Sequence, residues 1–198
     1  MSILTGPEIK RHVEYTRNYR AGGGDVPPIE PLIEITPFDP SKLGPNSYDV
    51  HLAPVLKVYA GPCHYLTDPD APWVLDPNKA NPTADVPIPP EGLILRPGTL
   101  YLAATVEETY CEGLVPYLDG RSSMGRLGLS IHVTAGRGDD GFRGRWTCEM
   151  TVVHHLRVYP GMRIGQLTFH TIQGERLPYK GRYQNASGPE ASKYHEKQ

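Results

Sequence analysis

Apolar and polar residues alternate with a period of two along most of this chain. Because successive side chains of a β-strand point to opposite faces, this alternation predicts half-buried strands. The runs are short, and glycine and proline residues that favour turns separate them. The predicted strands are residues 31–35, 46–52, 55–59, 93–95, 100–106, 114–118, 130–133, 145–153, 157–159 and 164–170. Many short strands joined by turns predict a mainly β fold, either a distorted barrel or a jelly-roll-like sandwich.

One helix is predicted, near the N-terminus over residues 2–19. Thr5 and Glu8 form the Thr-x-x-Glu pattern of a capping box, which marks the start of a helix. The positions that share its apolar stripe are Ile9, Val13 and Thr16. We therefore expect an N-terminal helix followed by a chain with almost no further helical pattern.

The 198 residues suit a single domain that spans the whole chain, with the helix in residues 1–20. Residues 61–90 hold eight prolines and few sustained apolar runs, so we interpret them as a long surface excursion. That excursion covers a site, contacts a neighbour or is inert. Residues 174–198 form a polar tail rich in basic and aromatic side chains. Two interpretations of this tail are open, a frayed terminus or a lid that orders over an anionic ligand.

Charge and cysteine content narrow the class of protein. The 20 basic and 22 acidic residues give a net charge of -2, so no global field favours nucleic acid or a membrane surface as partner. Three single cysteines, Cys63, Cys111 and Cys148, fit neither a disulfide framework nor a zinc motif. His154 and His155 do not complete a metal site, because adjacent strand residues face opposite sides. No signal peptide or run of about 18 apolar residues is present, so we expect a cytoplasmic protein.

Residues 120–149 carry the densest candidate chemistry. A glycine-flanked turn offers two guanidinium groups and two hydroxyl groups, from Arg121, Ser122, Ser123 and Arg126. Guanidinium forks match phosphate oxygens, and glycines let backbone amides approach a ligand closely. Glu149 follows in a predicted strand, among apolar and aromatic residues where a carboxylate can act as general acid or base. The combination indicates chemistry on a phosphorylated small molecule.

Each of these residues also has a structural interpretation. Glu149 equally suits a surface ion pair with Arg126 or Arg145, and the serines suit hydrogen bonds within a turn. Cys148 suits a small core position and has no partner that would make it a nucleophile. Phe142 suits a core position and a position beneath a ligand equally well.

Four segments give the chain a resemblance to a known family. They are GRSSMGRLGL, HVTAGRGDDGFRG, WTCEM and PGMRIGQLTF. With these segments the chain resembles the dCTP deaminase branch of the dUTPase-like superfamily. The likeness extends through ILTGPEIKRHVE, PFDPSKLGPNSYDVHL and LRPGTLYLAATVEE, and a match of that length is far more specific than one short motif.

The resemblance implies a dUTPase-like barrel or jelly-roll that forms a homotrimer with active sites between subunits. It implies hydrolysis of the 4-amino group of dCTP to give dUTP and ammonia, without zinc. The residues agree, because the Pro-Cys-x-x-Cys part of the zinc deaminase signature does not occur. Magnesium is expected to enter with the triphosphate, on phosphate oxygens and water. The resemblance also implies feedback inhibition by dTTP, associated with His132 and Val133.

Matched by position, Glu149 corresponds to the catalytic carboxylate that takes a proton from water during attack on C4. Ser122 and the carbonyl group of Ala135 correspond to groups that hold this water, and Arg126 to the arginine near the catalytic acid. The resemblance places Asp139 and Phe142 at the deoxyribose. The full set of substrate contacts that it implies is Arg121, Ser123, Met124, Gly125, His132, Val133, Arg137, Asp139, Phe142, Thr147, Cys148, Gln166, Tyr179 and Arg182.

Three functions follow from the sequence. The leading hypothesis is a dCTP deaminase that releases dUTP. The second is a bifunctional enzyme that also splits dUTP to dUMP and diphosphate, a group to which WTCEMTVVHHLRVY is closer. The third is a nucleotide-sensing regulator without turnover, which the joint presence of Glu149, Ser122 and Arg126 opposes. The tail departs from the family pattern, since Ala186 and Ser187 stand where a glutamine usually precedes Gly-Pro.

Overall fold

The computed structural model describes residues 2–23, 27–61, 73–134 and 136–196 of the chain. The described elements are α1 (Gly6–Ala21), β1 (Leu32–Thr36), a 3-10 helix (Pro40–Lys42), β2 (Tyr48–His51), β3 (Val55–Tyr59), β4 (Thr83–Pro87), β5 (Leu93–Leu95), β6 (Tyr101–Glu112), β7 (Leu114–Gly120), α2 (Ser122–Gly125), β8 (Leu129–Ser130), β9 (Arg143–Val152), β10 (Leu156–Val158) and β11 (Arg163–Thr171). Short strands dominate and one long helix precedes them. The predicted mainly β fold class with an N-terminal helix is confirmed.

Helix α1 starts at the capping signal that the sequence contains. The side chain of Thr5 accepts a hydrogen bond from the backbone N–H of Glu8 at 3.4 Å, so the helix begins after Thr5 and not at residue 2. Its buried face includes the predicted Ile9, Val13 and Thr16. Thr16 Oγ1 accepts a hydrogen bond from the backbone N–H of Ile33 at 2.9 Å, which joins α1 to β1. Neither α1 nor any other described helix combines the length and apolar character needed to cross a bilayer.

Antiparallel strands form three sheets in the described part of the chain. The largest sheet has the order β4-β3-β6-β9-β8, and β1 pairs with β6 beside this path. A second sheet has the order β2-β11-β7, and β5 pairs with β10 in the third. Their inner faces share one apolar core, whose largest fully buried side chains include Tyr48, Phe169, Leu56, Leu118 and Met150.

A β-bulge interrupts the pairing of β6 with β9 between Ala104 and Glu108. Thr105 Oγ1 fills the gap by donating to the carbonyl oxygen of Glu107 at 2.7 Å. The Glu107 carboxylate in turn accepts hydrogen bonds from His51, from its backbone N–H at 2.9 Å and from its Nδ1 at 2.6 Å. Because a bulge bends a strand and increases its twist, this one helps the large sheet to curl around the core.

Two predicted segments differ from the structure. The strand predicted over residues 130–133 ends at Ser130, because the hydroxyl group of Ser130 donates to the carbonyl oxygen of His132 at 2.9 Å and turns the chain. The predicted surface excursion, residues 61–90, contains β4. This strand pairs with β3 along its whole length and forms an edge of the large sheet. It was not predicted, because its segment is rich in proline. Residues 62–72 of the excursion lie outside the described residues.

Candidate active site

A cavity of about 430 Å³ opens along the outer face of β9. Its walls come from β3, β6 and β9, from the loop before β9 and from the tail after β11. This volume lies in the range of pockets that hold small-molecule ligands. The lining includes six residues that the sequence assigned to catalysis or substrate binding, namely Arg137, Asp139, Phe142, Thr147, Glu149 and Tyr179.

The alternation of β9 places Glu149 in this cavity. Its neighbours Cys148 and Met150 are fully buried in the core, so the side chain of Glu149 leaves the strand on the opposite face. Glu149 Oε2 accepts a hydrogen bond from the backbone N–H of Val133 at 3.4 Å and lies 3.8 Å from Nδ1 of His132. The side chain is 33% exposed. The carboxylate is therefore oriented by the preceding loop and still accessible to a ligand.

His132 has a fixed orientation beside this carboxylate. Its Nε2 donates a hydrogen bond to the carbonyl oxygen of Leu118 at 2.6 Å, because a carbonyl group can only accept. Nδ1 is therefore the ring nitrogen that faces Glu149. Burial lowers the pKa of His132, but the Glu149 carboxylate and the Leu118 carbonyl outweigh it, and the pKa is raised above 6.5. A protonated His132 puts positive charge beside the candidate base.

Aromatic rings form one wall of the cavity. Phe142 meets Trp146 edge-on, with ring centroids 5.8 Å apart and an interplanar angle of 65°. It meets Tyr179 in the same way, at 5.8 Å and 72°. Trp146 is held from behind, because its Nε1 donates to the hydroxyl oxygen of Thr109 at 2.8 Å. Such a wall suits the flat faces of a nucleoside.

The tail closes another side of the cavity. The backbone N–H of Arg145 donates to the carbonyl oxygen of Ala186 at 2.8 Å, and Ala186 forms a parallel bridge with Gly144. Further along, the backbone N–H of Glu190 donates to the hydroxyl oxygen of Thr147 at 3.0 Å. The described part of the tail thus runs beside β9 and supplies part of the lining.

An amide side chain is present in the tail two residues before Ala186. Gln184 Oε1 accepts a hydrogen bond from the backbone N–H of Arg143 at 3.0 Å, and Nε2 donates to the carbonyl oxygen of Gly141 at 2.9 Å. Ala186 itself is 6% exposed, because it packs against the strand. The amide of Gln184 therefore attaches the tail to the start of β9.

The predicted phosphate-binding turn lies elsewhere on the chain. Residues Ser122–Gly125 form the short helix α2, and both Ser122 and Arg126 are exposed. Among the described residues that line the cavity, none comes from residues 121–126. The predicted catalytic groups are therefore divided within one chain, with Glu149 in the cavity and the turn on a separate surface.

The remaining predicted residues have varied positions. The side chain of Cys148 is buried on the core face of β9, so it does not reach the cavity. Arg182 binds a backbone carbonyl within the tail. Gln166 on β11 donates a hydrogen bond to Asp49 on β2. Ala135 lies outside the described residues. No three His, Cys, Asp or Glu side chains are grouped as metal ligands in the portion of the chain that the structure describes.

Several lining residues were not selected from the sequence, among them Tyr59, Arg145, Tyr183 and Glu190. Arg145 has a readable signal, because it shares the period-two face of Thr147 and Glu149. Tyr59 and the tail residues have none. They meet at the cavity only through contacts between distant segments, such as the hydrogen bond from the Ser192 backbone N–H to the Tyr59 hydroxyl oxygen at 3.0 Å.

A family model described as dCTP deaminase-like matches residues 29–172, which include the cavity strands and the turn. A curated relative from Leptospira biflexa serovar Patoc is 44% identical over 191 residues, covering 96% of this chain and 94% of its own length. Another from Hathewaya histolytica is 47% identical over 191 residues, covering 96% and 95%. Both are called "dCTP deaminase, dUMP-forming".

The crystal structure of 2′-deoxycytidine 5′-triphosphate deaminase from Agrobacterium tumefaciens has a similar fold. It superposes with a TM-score of 0.56 at 19% sequence identity and covers 85% of this chain. This chain spans about half of that protein, 48% of its length. At this level of identity the likeness concerns the fold alone.

Proposed function

Because the chain belongs to the dCTP deaminase-like family, we propose that it is a cytoplasmic enzyme that hydrolyses dCTP to dUMP, diphosphate and ammonia. The observation that carries this proposal is the name "dUMP-forming" of relatives that are 44% and 47% identical over 96% of the chain. It favours the bifunctional hypothesis over the leading hypothesis of the sequence, in which dUTP is released. Two water molecules are consumed, one at C4 of the base and one at the α-phosphorus.

In the first step Glu149 takes a proton from water as the water oxygen attacks C4 of the cytosine ring. Glu149 gives this proton to N3, takes a second proton from the new hydroxyl group on C4 and passes it to the amino group, so that the bond from C4 to nitrogen breaks, a C4 carbonyl forms and ammonia leaves. The accessible carboxylate and its contacts with Val133 and His132 support this role. A positioned acid–base group of this kind contributes a rate factor of about 10² to about 10⁴.

The second step cleaves the bond between the α-phosphorus and the oxygen that bridges to the β-phosphorus. Asp139 and the rings of Phe142 and Tyr179 line the same cavity as Glu149, which supports binding of the deoxyribose between them. Arg137 and Arg145 also line it, and their positive charge attracts an anionic nucleotide. Magnesium enters with the nucleotide in this proposal, because phosphate oxygens and water are the hard ligands that it prefers.

A homotrimer with shared sites completes the proposal. Ser122 and Arg126 do not line the cavity that contains Glu149, and both are exposed on the described surface, so a second copy of the chain is able to contact them. In a symmetric oligomer each such contact repeats at every interface. The division of the predicted groups within one chain supports sites formed by two subunits.

The first test is ammonia release from dCTP in the presence of magnesium. We expect ammonia from dCTP and none from dUTP, which has no amino group to lose. If dCTP binds but neither ammonia nor diphosphate forms, the regulator hypothesis replaces this proposal. Deoxycytidine serves as the control substrate, because it has the same amino group as dCTP, the nucleotide in the family's name, but no phosphates.

A further inference from the structure

Donors from two strand ends surround one buried carboxylate, that of Asp49 on β2. Asp49 is 7% exposed. Arg121, which follows β7, forms an ion pair with its Oδ1 through one terminal guanidinium nitrogen. Arg163 on β11 lies 3.3 Å from Oδ2. Gln166, also on β11, donates from Nε2 to Oδ1 at 3.2 Å and to Ser47 Oγ at 3.1 Å.

The sheet order explains why these side chains meet. Strand β11 lies between β2 and β7, and Gln166 is paired with Asp49 on one side and with Asp119 on the other. Paired residues of antiparallel strands point to the same face, so the cluster forms on one surface of this sheet. Asp119 is exposed, and water and salt screen its charge more than that of Asp49.

Asp49 stabilises an arrangement that two guanidinium groups do not adopt alone. Two positive charges repel each other at short range, and a carboxylate between them offsets this repulsion. Asp49 contacts one nitrogen of Arg121 and one of Arg163. Each guanidinium group has five N–H donors, so both keep donors for a further anion. The side chain of Arg163 is 56% exposed, which leaves it open to such a ligand.

We propose that Asp49 is a positioning residue that holds Arg121, Arg163 and Gln166 together as a binding cluster for the triphosphate chain of the nucleotide, with Arg163 as a direct phosphate contact. The inference rests on the proposed function, because that function supplies a triphosphate. It adds Asp49 and Arg163 to the residues that the sequence assigned to substrate binding. Guanidinium groups held in advance lose less conformational freedom when phosphate binds.

Substitution of Asp49 tests the proposal through the sign of its effect. If Asp49 is only a negative charge near the site, Asp49→Asn removes repulsion and tightens binding of an anion. If Asp49 holds the two arginines, Asp49→Asn weakens binding, because the guanidinium groups separate. We expect weaker binding of inorganic tripolyphosphate by isothermal titration calorimetry, by about tenfold. Unchanged or tighter binding overturns the positioning role.

Arg163 supplies a second variant that does not depend on a buried group. Arg163→Gln should weaken tripolyphosphate binding by about tenfold and raise the KM for dCTP with little change in kcat. Arg163→Lys keeps the charge but not the fork and should recover part of the affinity. The control is Arg157→Gln, an equal loss of charge at an exposed residue of β10, which should change neither quantity. Unchanged affinity in Arg163→Gln overturns the phosphate contact.

The binding experiment separates this inference from the proposed function. Tripolyphosphate has no base to deaminate, so its affinity is measured whether or not the protein turns over dCTP. If turnover fails while Arg163→Gln and Asp49→Asn both weaken tripolyphosphate binding, the cluster stands and the enzymatic proposal falls. If turnover is found and both variants bind tripolyphosphate like the unmodified protein, the reverse holds.

Discussion

The residues on either side of Glu149 orient its carboxylate for chemistry. Cys148 and Met150 bind its strand into the core, so the carboxylate cannot turn away from the cavity. The backbone N–H of Val133 and the ring of His132 then orient it from the neighbouring loop. A group that is rigid and accessible in this way suits proton transfer to a bound ligand.

Replacement of this carboxylate tests its role. Glu149→Gln should lower kcat for ammonia release from dCTP by roughly a thousandfold, because an amide cannot take a proton from water. Binding of dCTP should change little, since the size of the side chain is conserved. Glu91→Gln is the control, an equal change at an exposed position outside the cavity. Near-normal ammonia release by Glu149→Gln would show that another group activates the water.

His132 should make stability depend on pH. Its pKa is raised in the folded protein, with Glu149 and Asp119 as the nearby acids that favour the charged ring. Protonation therefore favours folding below about 6.5, and this contribution is lost as pH rises through the higher pKa of the folded state. The free energy of unfolding of His132→Gln, measured in urea, should be lower than that of the unmodified protein. This deficit should be largest at low pH and shrink as pH rises. The exposed His154→Gln should show no such trend, and a deficit for His132→Gln that grows with pH contradicts this assignment.

At the scale of elements, β9 and the tail act together. Gly144 and Arg145 on β9 bind the tail at Ala186, and Gln184 attaches it to the start of the strand. Tyr179 packs on Phe142 at the cavity wall. The strand that carries Glu149 thus also positions a tail segment that lines the same cavity.

Gly144 is the position where this contact is most sensitive. Its φ is 147°, and a Cβ added there would lie 2.8 Å from the backbone nitrogen of Ala186. Gly144→Ala should therefore displace the tail, raise the KM for dCTP and increase trypsin cleavage after Lys180, with backbone strain of about 1–3 kcal/mol. Gly188→Ala, in the same tail with open space around it, is the matched control. A tail that resists trypsin equally in both variants would contradict this contact.

Local patterns were sufficient to predict most elements. The Thr5 cap marks the start of α1, and alternation marks β9 together with the face that carries Glu149. Elements that depend on distant partners could not be predicted in this way. Strand β4 has a proline-rich sequence and exists because β3 pairs with it, and the tail reaches the cavity through pairing near Ala186. Such contacts leave no periodic signal in either segment.

At the scale of the whole molecule, the predicted site is divided between two surfaces. The cavity holds Glu149 and Asp139, whereas Ser122 and Arg126 are exposed on a turn that does not line it. The resemblance to the family predicted all four residues. It could not predict their separation within one chain, because a motif does not show whether its residues act in the same subunit. In the proposed homotrimer, a contact between two subunits brings these two surfaces together.

Mixing inactive variants tests the shared site. Glu149→Gln and Ser122→Ala should each be nearly inactive alone. Trimers formed from an equal mixture should recover activity, up to about a quarter of the unmodified value, because some interfaces combine both intact groups. As the control, trimers made only of a variant with both substitutions should stay inactive, because none of their interfaces contains an intact group. Mixed trimers that form by native mass spectrometry and remain inactive would contradict sites between subunits.

The products formed from dCTP test the central claim most directly. The protein is incubated with dCTP and magnesium, samples are quenched over time, and nucleotides, diphosphate and ammonia are quantified by chromatography and coupled assays. We expect dUMP, diphosphate and ammonia in equal amounts at every time point. Accumulation of dUTP in step with ammonia, without diphosphate, would contradict the dUMP-forming reaction.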